Sequence, residues 1–177
     1  MAGTWAGARA QIQQVLDGLT VDLGVAWQTE QMTAFEYAPP GRQPADLYPY
    51  CFILPQNIKV DRFPGNMRKL RIDVGVRVLL APVGQVDDIN ALHRRYDSWW
   101  SEIADAWDPQ ANLNENVDIS VEQEFSGLAL FDDVDQAWGF DMILGEVQIS
   151  ENKAFTAGAQ SDGFSNGFDT GFDAVAV

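Results

Sequence analysis

The sequence predicts an α+β domain in which an antiparallel or mixed sheet with a long β-hairpin is covered by one long helix and a short N-terminal helix. Apolar residues recur with helical spacing in residues 6–16 and 86–107, and they alternate with a period of two in several other segments. From residue 156 onward the composition falls to Gly, Ala, Ser, Asn, Asp and Phe, which cannot form a core. We therefore expect a domain over residues 1–155 and a disordered or extended Gly-Phe tail over residues 156–177.

The N-terminal part supplies one helix, one strand and one loop. Ala8, Ile12 and Leu16 fall on one helical face, and Gly18 follows as a stop signal. Residues 25–37 alternate and are rich in β-branched and aromatic side chains, which predicts a single strand with an exposed centre. Residues 38–49 contain four prolines and are therefore predicted to form a loop.

The predicted hairpin follows this loop. Residues 50–54 form an apolar run, residues 58–63 alternate, and Pro-Gly-Asn at residues 64–66 marks a turn. In the next strand the even-numbered residues from Leu70 to Leu80 are apolar, whereas Lys69, Arg71 and Arg77 fall on the other face. One face of this strand is expected to be core and the other polar.

The long helix and two closing strands complete the predicted domain. The helix presents an aromatic stripe that places Trp99 and Ile103 in the core, whereas Trp100 points about 100° away from Trp99. Its histidine, His93, is expected to be partly buried and structural. Residues 117–125 predict one strand, and residues 138–149 predict another that ends near residue 153 and has a bulge near residues 143–145.

The inventory of reactive residues argues against an enzyme. The chain has one histidine and one cysteine, Cys51, which lies in an apolar run and is predicted to be buried. Nucleotide-binding, nucleophile-elbow and zinc-protease motifs are absent from the sequence. We therefore predict no catalytic residues, no metal and no cofactor, although an enzyme that uses paired carboxylates remains the remotest alternative.

No stretch approaches the roughly 18 apolar residues of a membrane span, and we expect synthesis in the cytoplasm.

Charge is distributed unevenly along the chain. There are 11 Lys and Arg residues against 26 Asp and Glu residues, but residues 59–77 hold six cations and two carboxylates. We predict that the basic hairpin forms a subunit interface through these residues: Arg62, Phe63, Met67, Arg68, Lys69 and Arg71. The acidic body that it would meet is predicted to include these residues: Glu122, Glu124, Asp132, Asp133 and Asp135.

Two interpretations of this charge pattern remain open. The hairpin either folds onto the acidic body of its own molecule, or it meets the body of the next copy in a head-to-tail contact that can close into a ring. The net charge of -15 disfavours tight binding to bare nucleic acid, because phosphates repel it.

The order of these elements, with Tyr-Asp-Ser-Trp-Trp at residues 96–100 of the long helix, resembles the tail terminator proteins of long-tailed bacteriophages. The resemblance spans residues 6–155 and rests on pattern and length. It implies a virion protein whose ring, of six subunits, ends the tail tube and carries the head-neck complex above it. Its partners would be further copies of itself, the tail tube protein and a neck or head-completion protein, and DNA would pass through the lumen without specific binding.

The Gly-Phe tail departs from the minimal pattern of that family. Its phenylalanines, Phe164, Phe168 and Phe172, are expected to dock as short anchors on a neighbouring tail or neck protein. Two other structural roles remain open. One is a head-tail adaptor or stopper, and the other is a protein that decorates the capsid or the tail.

Overall fold

In the part of the chain that a computed structural model describes, seven strands form one mixed sheet and two α-helices accompany it. The structure describes residues 5–24, 29–63, 67–107, 117–120, 123–132 and 136–152. The predicted α+β class with a mixed sheet is confirmed. The predicted Gly-Phe tail, with Phe164, Phe168 and Phe172, lies outside the described residues, as does the predicted turn at residues 64–66.

Helix α1 spans Trp5–Leu16 and confirms the first predicted helix. Ala8, Ile12 and Leu16 are buried at intervals of four residues, so one face of α1 enters the core. Gly18 follows with a φ of 81°, a conformation that glycine adopts without strain, and its N–H donates to the Met32 carbonyl.

Two short strands lie in the described part of the segment where a single strand was predicted over residues 25–37, and a third short strand precedes that segment. β1 (Thr20–Asp22) pairs antiparallel with β2 (Thr29–Gln31) in a small separate sheet, whereas β3 (Thr33–Phe35) joins the main sheet. The prediction is wrong because the chain breaks at Met32, whose N–H donates to the Leu19 carbonyl and whose side chain is buried. The even-numbered Met32 and Ala34 point inward, and Tyr37 is 63% exposed.

Three long strands make up most of the main sheet: β4 (Tyr50–Phe63), β5 (Met67–Pro82) and β9 (Ala137–Asn152). β5 lies between the other two and is antiparallel to both. Its even-numbered residues from Ile72 to Leu80 are almost completely buried, as the alternation predicted. β4 is continuous through the gap expected between residues 54 and 58, and its register with β5 shifts between Pro55 and Ile58.

The pairing of β9 shows that the two strands of the predicted hairpin do not stand apart from the rest of the sheet. β9 accompanies β5 along its whole length, from Met67 opposite Asn152 to Pro82 opposite Ala137. The distal part of β5 therefore lies inside the sheet and only β4 is at the edge. The sequence predicted β9 but did not indicate its partner, because the antiparallel neighbour of a strand is not encoded in its own alternation.

The remaining strands form the other edge of the sheet, against β9. They are β6 (Val117–Ser120), β7 (Glu124–Phe125) and β8 (Ala129–Phe131), so the single strand predicted over residues 117–125 is divided. The bulge predicted near residues 143–145 is confirmed. Val74 lies opposite Gly145 and Gly75 lies opposite Ile143, which leaves Leu144 as the extra residue.

Helix α2 spans Ile89–Ala106 and covers one face of the main sheet. Asp88 caps it by accepting a hydrogen bond from the Asn90 N–H at 2.9 Å. Trp99 and Ile103 are fully buried, as predicted, and Trp100 is half-buried. The expectation that His93 is partly buried is wrong, because His93 lies on the exposed face of α2.

A shared carboxylate connects α2 to the small sheet. Trp99 Nε1 donates to Glu30 Oε2 at 3.0 Å, and Arg95 Nε lies 2.7 Å from Glu30 Oε1. One carboxylate of β2 thus satisfies the only polar atom of the buried indole and neutralises a half-buried guanidinium.

Candidate functional site

Among the described residues, the outer edge of β4 is paired with another strand over only a short stretch. β3 pairs with β4 in parallel, but only through Tyr50, Cys51 and Phe52. Among the described residues, no strand pairs with the outer side of β4 from Ile53 to Phe63. An open sheet edge of this length is a template for adding a strand from another chain.

We call the distal part of β4 and β5, residues 56–63 and 67–73, the arm. Four large apolar side chains of the arm are exposed: Ile58 by 56%, Val60 by 48%, Phe63 by 52% and Met67 by 48%. Such side chains are unremarkable when scattered, but a cluster of them beside an open edge indicates an interaction surface.

The strand register assigns these side chains to the two faces of the sheet. Ile58 lies opposite the buried Ile72, and Val60 lies opposite Leu70, which packs against the core. Residues that are opposite each other in an antiparallel pair share a face. Ile58 and Val60 therefore extend the helix-covered apolar face out to the edge, where α2 no longer covers it.

Phe63 and Met67 lie opposite each other on the other face, together with most of the charges of the arm. Lys59 and Arg62 are exposed, whereas Arg68, Lys69 and Arg71 are half-buried. Of the six predicted interface residues, Arg62, Phe63 and Met67 are thus the accessible ones.

The arm neutralises part of its own charge. Arg71 Nε lies 3.0 Å from Asp61 Oδ2 across the strand pair, and Asn57 Nδ2 donates to Asp73 Oδ2 at 2.8 Å. The register with β9 places Glu151 opposite Arg68. Five cations against two carboxylates leave the arm with a formal excess of three positive charges, in a chain whose net charge is -15.

Arg77 does not belong to this basic surface, although the sequence analysis counted it there. Its Nε and one Nη donate to the two carboxylate oxygens of Asp141 at 2.8 and 2.9 Å, and its guanidinium stacks 4.0 Å from the centre of the Phe131 ring. A bidentate pair of this kind fixes both side chains. This arginine therefore holds β5 to β9 and leaves one charge fewer for a partner.

The predicted acidic body is described only in part. Glu124 and Asp132 are exposed at the edge formed by β7 and β8, on the side of the sheet away from β4. Glu122, Asp133 and Asp135 lie outside the described residues. The basic arm and the described acidic residues thus occupy opposite edges of one sheet.

Cys51 is fully buried, as the sequence predicted. Its burial, together with the charge of Asp17, raises the pKa of its thiol far above the ordinary value.

The described part of the chain contains no group of three or more His, Cys, Asp or Glu side chains that could hold a metal ion. None of the described helices is both long enough and apolar enough to cross a membrane.

No protein-family model matches this sequence, and no curated protein matches it. Sequence reasoning identified the cations of the arm but missed Ile58 and Val60, because their alternation is that of an ordinary core strand. No sequence signal distinguished these two residues, because the apolar run at residues 50–54 and the alternation at residues 58–63 predicted two separate segments, whereas the structure joins them in one strand of 14 residues.

Proposed function

We propose that this chain is a structural protein of a bacteriophage virion, a tail terminator that forms a ring, of six copies, at the end of the tail tube and joins it to the head-neck complex. The observation that carries the self-assembly is the arm, where exposed apolar side chains and an excess of positive charge meet on an open sheet edge. The terminator role rests on the order of elements described in the sequence analysis.

The positions of the charges support a head-to-tail contact. The arm is at one edge of the sheet, and the exposed Glu124 and Asp132 are at the other, so the two surfaces of one molecule cannot meet each other. Two different copies can bring them together. A contact between unlike surfaces repeats from copy to copy and forms a closed ring when the rotation between copies divides a full turn.

The acidic character of the chain suits such a ring. A negatively charged lumen repels the phosphates of DNA, so the duplex passes through without adhering to the wall. In this proposal the tail tube protein and a neck or head-completion protein are the other partners, and Phe164, Phe168 and Phe172 anchor the C-terminal tail on one of them. A head-tail adaptor or stopper would use the same ring at another place in the neck, and a decoration protein would need no closed ring.

Self-assembly is tested by reversing the accessible charges of the arm. We expect the double variant Lys59→Glu and Arg62→Glu to associate at least tenfold more weakly than the wild type in light scattering at low salt, because both side chains are exposed. A matched control is Arg42→Glu with Arg94→Glu, because both of these arginines are exposed away from the arm and the change in net charge is the same. Equal weakening of both variants would show that net charge alone governs association.

Electron microscopy tests the ring. Negatively stained wild-type protein should show closed annuli with a central hole wide enough for duplex DNA, and antibody labelling of phage particles should mark the head-proximal end of the tail. A protein that stays monomeric at high concentration and low salt would overturn the proposal. Labelling along the whole tail or over the capsid would favour a decoration protein.

A further inference from the structure

Among the described residues, the arm has a defined set of backbone groups at the edge of β4 that pair with no other strand. The Pro49 carbonyl accepts from the Thr33 N–H, so the odd-numbered residues at the start of β4 direct their backbone groups toward β3 and the even-numbered ones toward β5. The register shift between Pro55 and Ile58 adds one residue to β4 and reverses this assignment. Beyond it, Ile58, Val60 and Arg62 direct their N–H and C=O groups outward.

The opposite edge of the same sheet is also open. β6 pairs with β9 on one side, and within the described ranges no strand pairs with its other side. β4, β5, β9 and β6 alternate in direction, so β6 is antiparallel to β4. A second copy placed beside the first, in the same orientation, therefore brings its β6 antiparallel to the β4 edge and continues the alternation.

We propose that the outer edge of β4 pairs with the outer edge of β6 of a second copy, so that one sheet runs from subunit to subunit. The occupant of the open edge is thus this same chain. This inference rests on the proposed self-assembly and specifies the surface that carries it.

The alignment of the two edges along the strand direction favours this pairing. Reading across the sheet, Lys59 lies opposite Arg71, Arg71 opposite Gln148, and Gln148 opposite Asp118. Positions 59 and 118 are thus the two ends of one row of residues that crosses the four strands. Copies at equal height along the strand direction would place residue 59 of one copy opposite residue 118 of the next.

The sequences on these rows are complementary. The same register brings position 58 opposite position 119, an isoleucine in both cases, and position 60 opposite position 117, a valine in both cases. Lysine at position 59 meets aspartate at position 118. Two apolar pairs and one pair of opposite charge form in a single register, as stable cross-strand pairing requires.

Cysteine cross-linking tests this register directly. The chain carrying Lys59→Cys and Asp118→Cys, oxidised with diamide, should give a ladder of covalent oligomers on a non-reducing gel. Directly opposite residues lie about 4.5–5.5 Å apart, within reach of a disulfide. Within one molecule the two positions are three strand spacings apart, about 14 Å, so every cross-link reports on two copies.

A control shifted by one residue gives the experiment its specificity. Val60→Cys with Asp118→Cys places the two thiols on opposite faces of the joined sheet and should give no ladder. A second pair in register, Ile58→Cys with Ile119→Cys, should cross-link like the first and keeps the charge pair intact. The native Cys51 is fully buried and is not expected to react in any of these variants.

The outcomes separate the two proposals. A ladder from both in-register pairs and none from the shifted pair supports the joined sheet. If oligomers form in light scattering but neither in-register pair cross-links, or the shifted pair cross-links equally, the edge pairing is overturned while self-assembly stands. A monomeric wild type overturns both.

A backbone variant checks the hydrogen bonds independently. Val60→Pro removes one outward N–H and leaves the neighbouring bonds to β5 in place, as proline is tolerated on edge strands. We expect association to weaken at least tenfold with the circular dichroism spectrum unchanged. Wild-type association of this variant would contradict the pairing.

Discussion

The exposed apolar pair of the arm gives the sharpest prediction, for the double variant Ile58→Thr and Val60→Thr. Ile58 is 56% exposed and Val60 48% exposed in the single chain. Full burial of such a side chain stabilises by about 2 kcal/mol, so covering the remaining half of each contributes about 1 kcal/mol. Threonine keeps the β-branched shape and one methyl group, so the pair should weaken association by about 1.5 kcal/mol, roughly a tenfold rise in Kd.

The assay is sedimentation velocity over a dilution series, combined with urea unfolding. The unfolding free energy should change by no more than about 0.5 kcal/mol, because both side chains are on the surface of the single chain. The control is Ile89→Thr with Val83→Thr, which are 49% and 42% exposed at the start of α2 and in the turn before it. An unchanged Kd in the arm variant, or an equal rise in the control, would refute the assignment of the surface.

Three further predictions concern the fold, and all use urea unfolding. Gly139→Ala should destabilise by several kcal/mol or prevent folding, because a Cβ there would lie 2.1 Å from the Val78 carbonyl oxygen; wild-type stability would show that the strands can separate. Asp88→Ala should cost about 1 kcal/mol by removing the cap on Asn90, and Asp88→Asn, which can still cap, should cost less; equal losses would exclude the cap as the cause. Above a pH of about 8.5 the Cys51 thiol ionises in the unfolded chain, whereas burial keeps it protonated in the folded chain. The free energy of unfolding should therefore fall as the pH rises above that value. Cys51→Ala should abolish that fall, and its persistence would assign it to other groups.

Local patterns predicted most of the elements correctly. The helical period of residues 89–106 and the alternation of residues 70–80 each concern one element against one core, and both are as expected in the structure. The bulge at Leu144 was also predictable, because an extra residue shifts the alternation within β9 itself. Information of this kind is contained within a dozen residues.

Pairing between distant segments was not predictable from the sequence. The division at Met32 depends on hydrogen bonds to Leu19 and to the loop at Pro49, and nothing in residues 25–37 indicates either. The basic surface was found from composition, yet Arg77 was counted in its charge because its partner Asp141 lies 64 residues further along the chain. In the described part of the chain, the edge of β4 is open because β3 pairs with only its first three residues. The alternation of residues within β4 does not indicate whether a neighbouring strand is present.

The two extra residues that flank β5 bear on how far such a sheet curves. One lies in β4 between Pro55 and Ile58 and the other is Leu144 in β9, and both fall near Val74 at the middle of β5. Bulges add local twist and bend the strand that carries them. A ring of six requires each copy to turn by about 60° relative to the next. In the proposed ring, deleting Leu144 should therefore alter the curvature of the assembly, and with it the number of copies that close the circle.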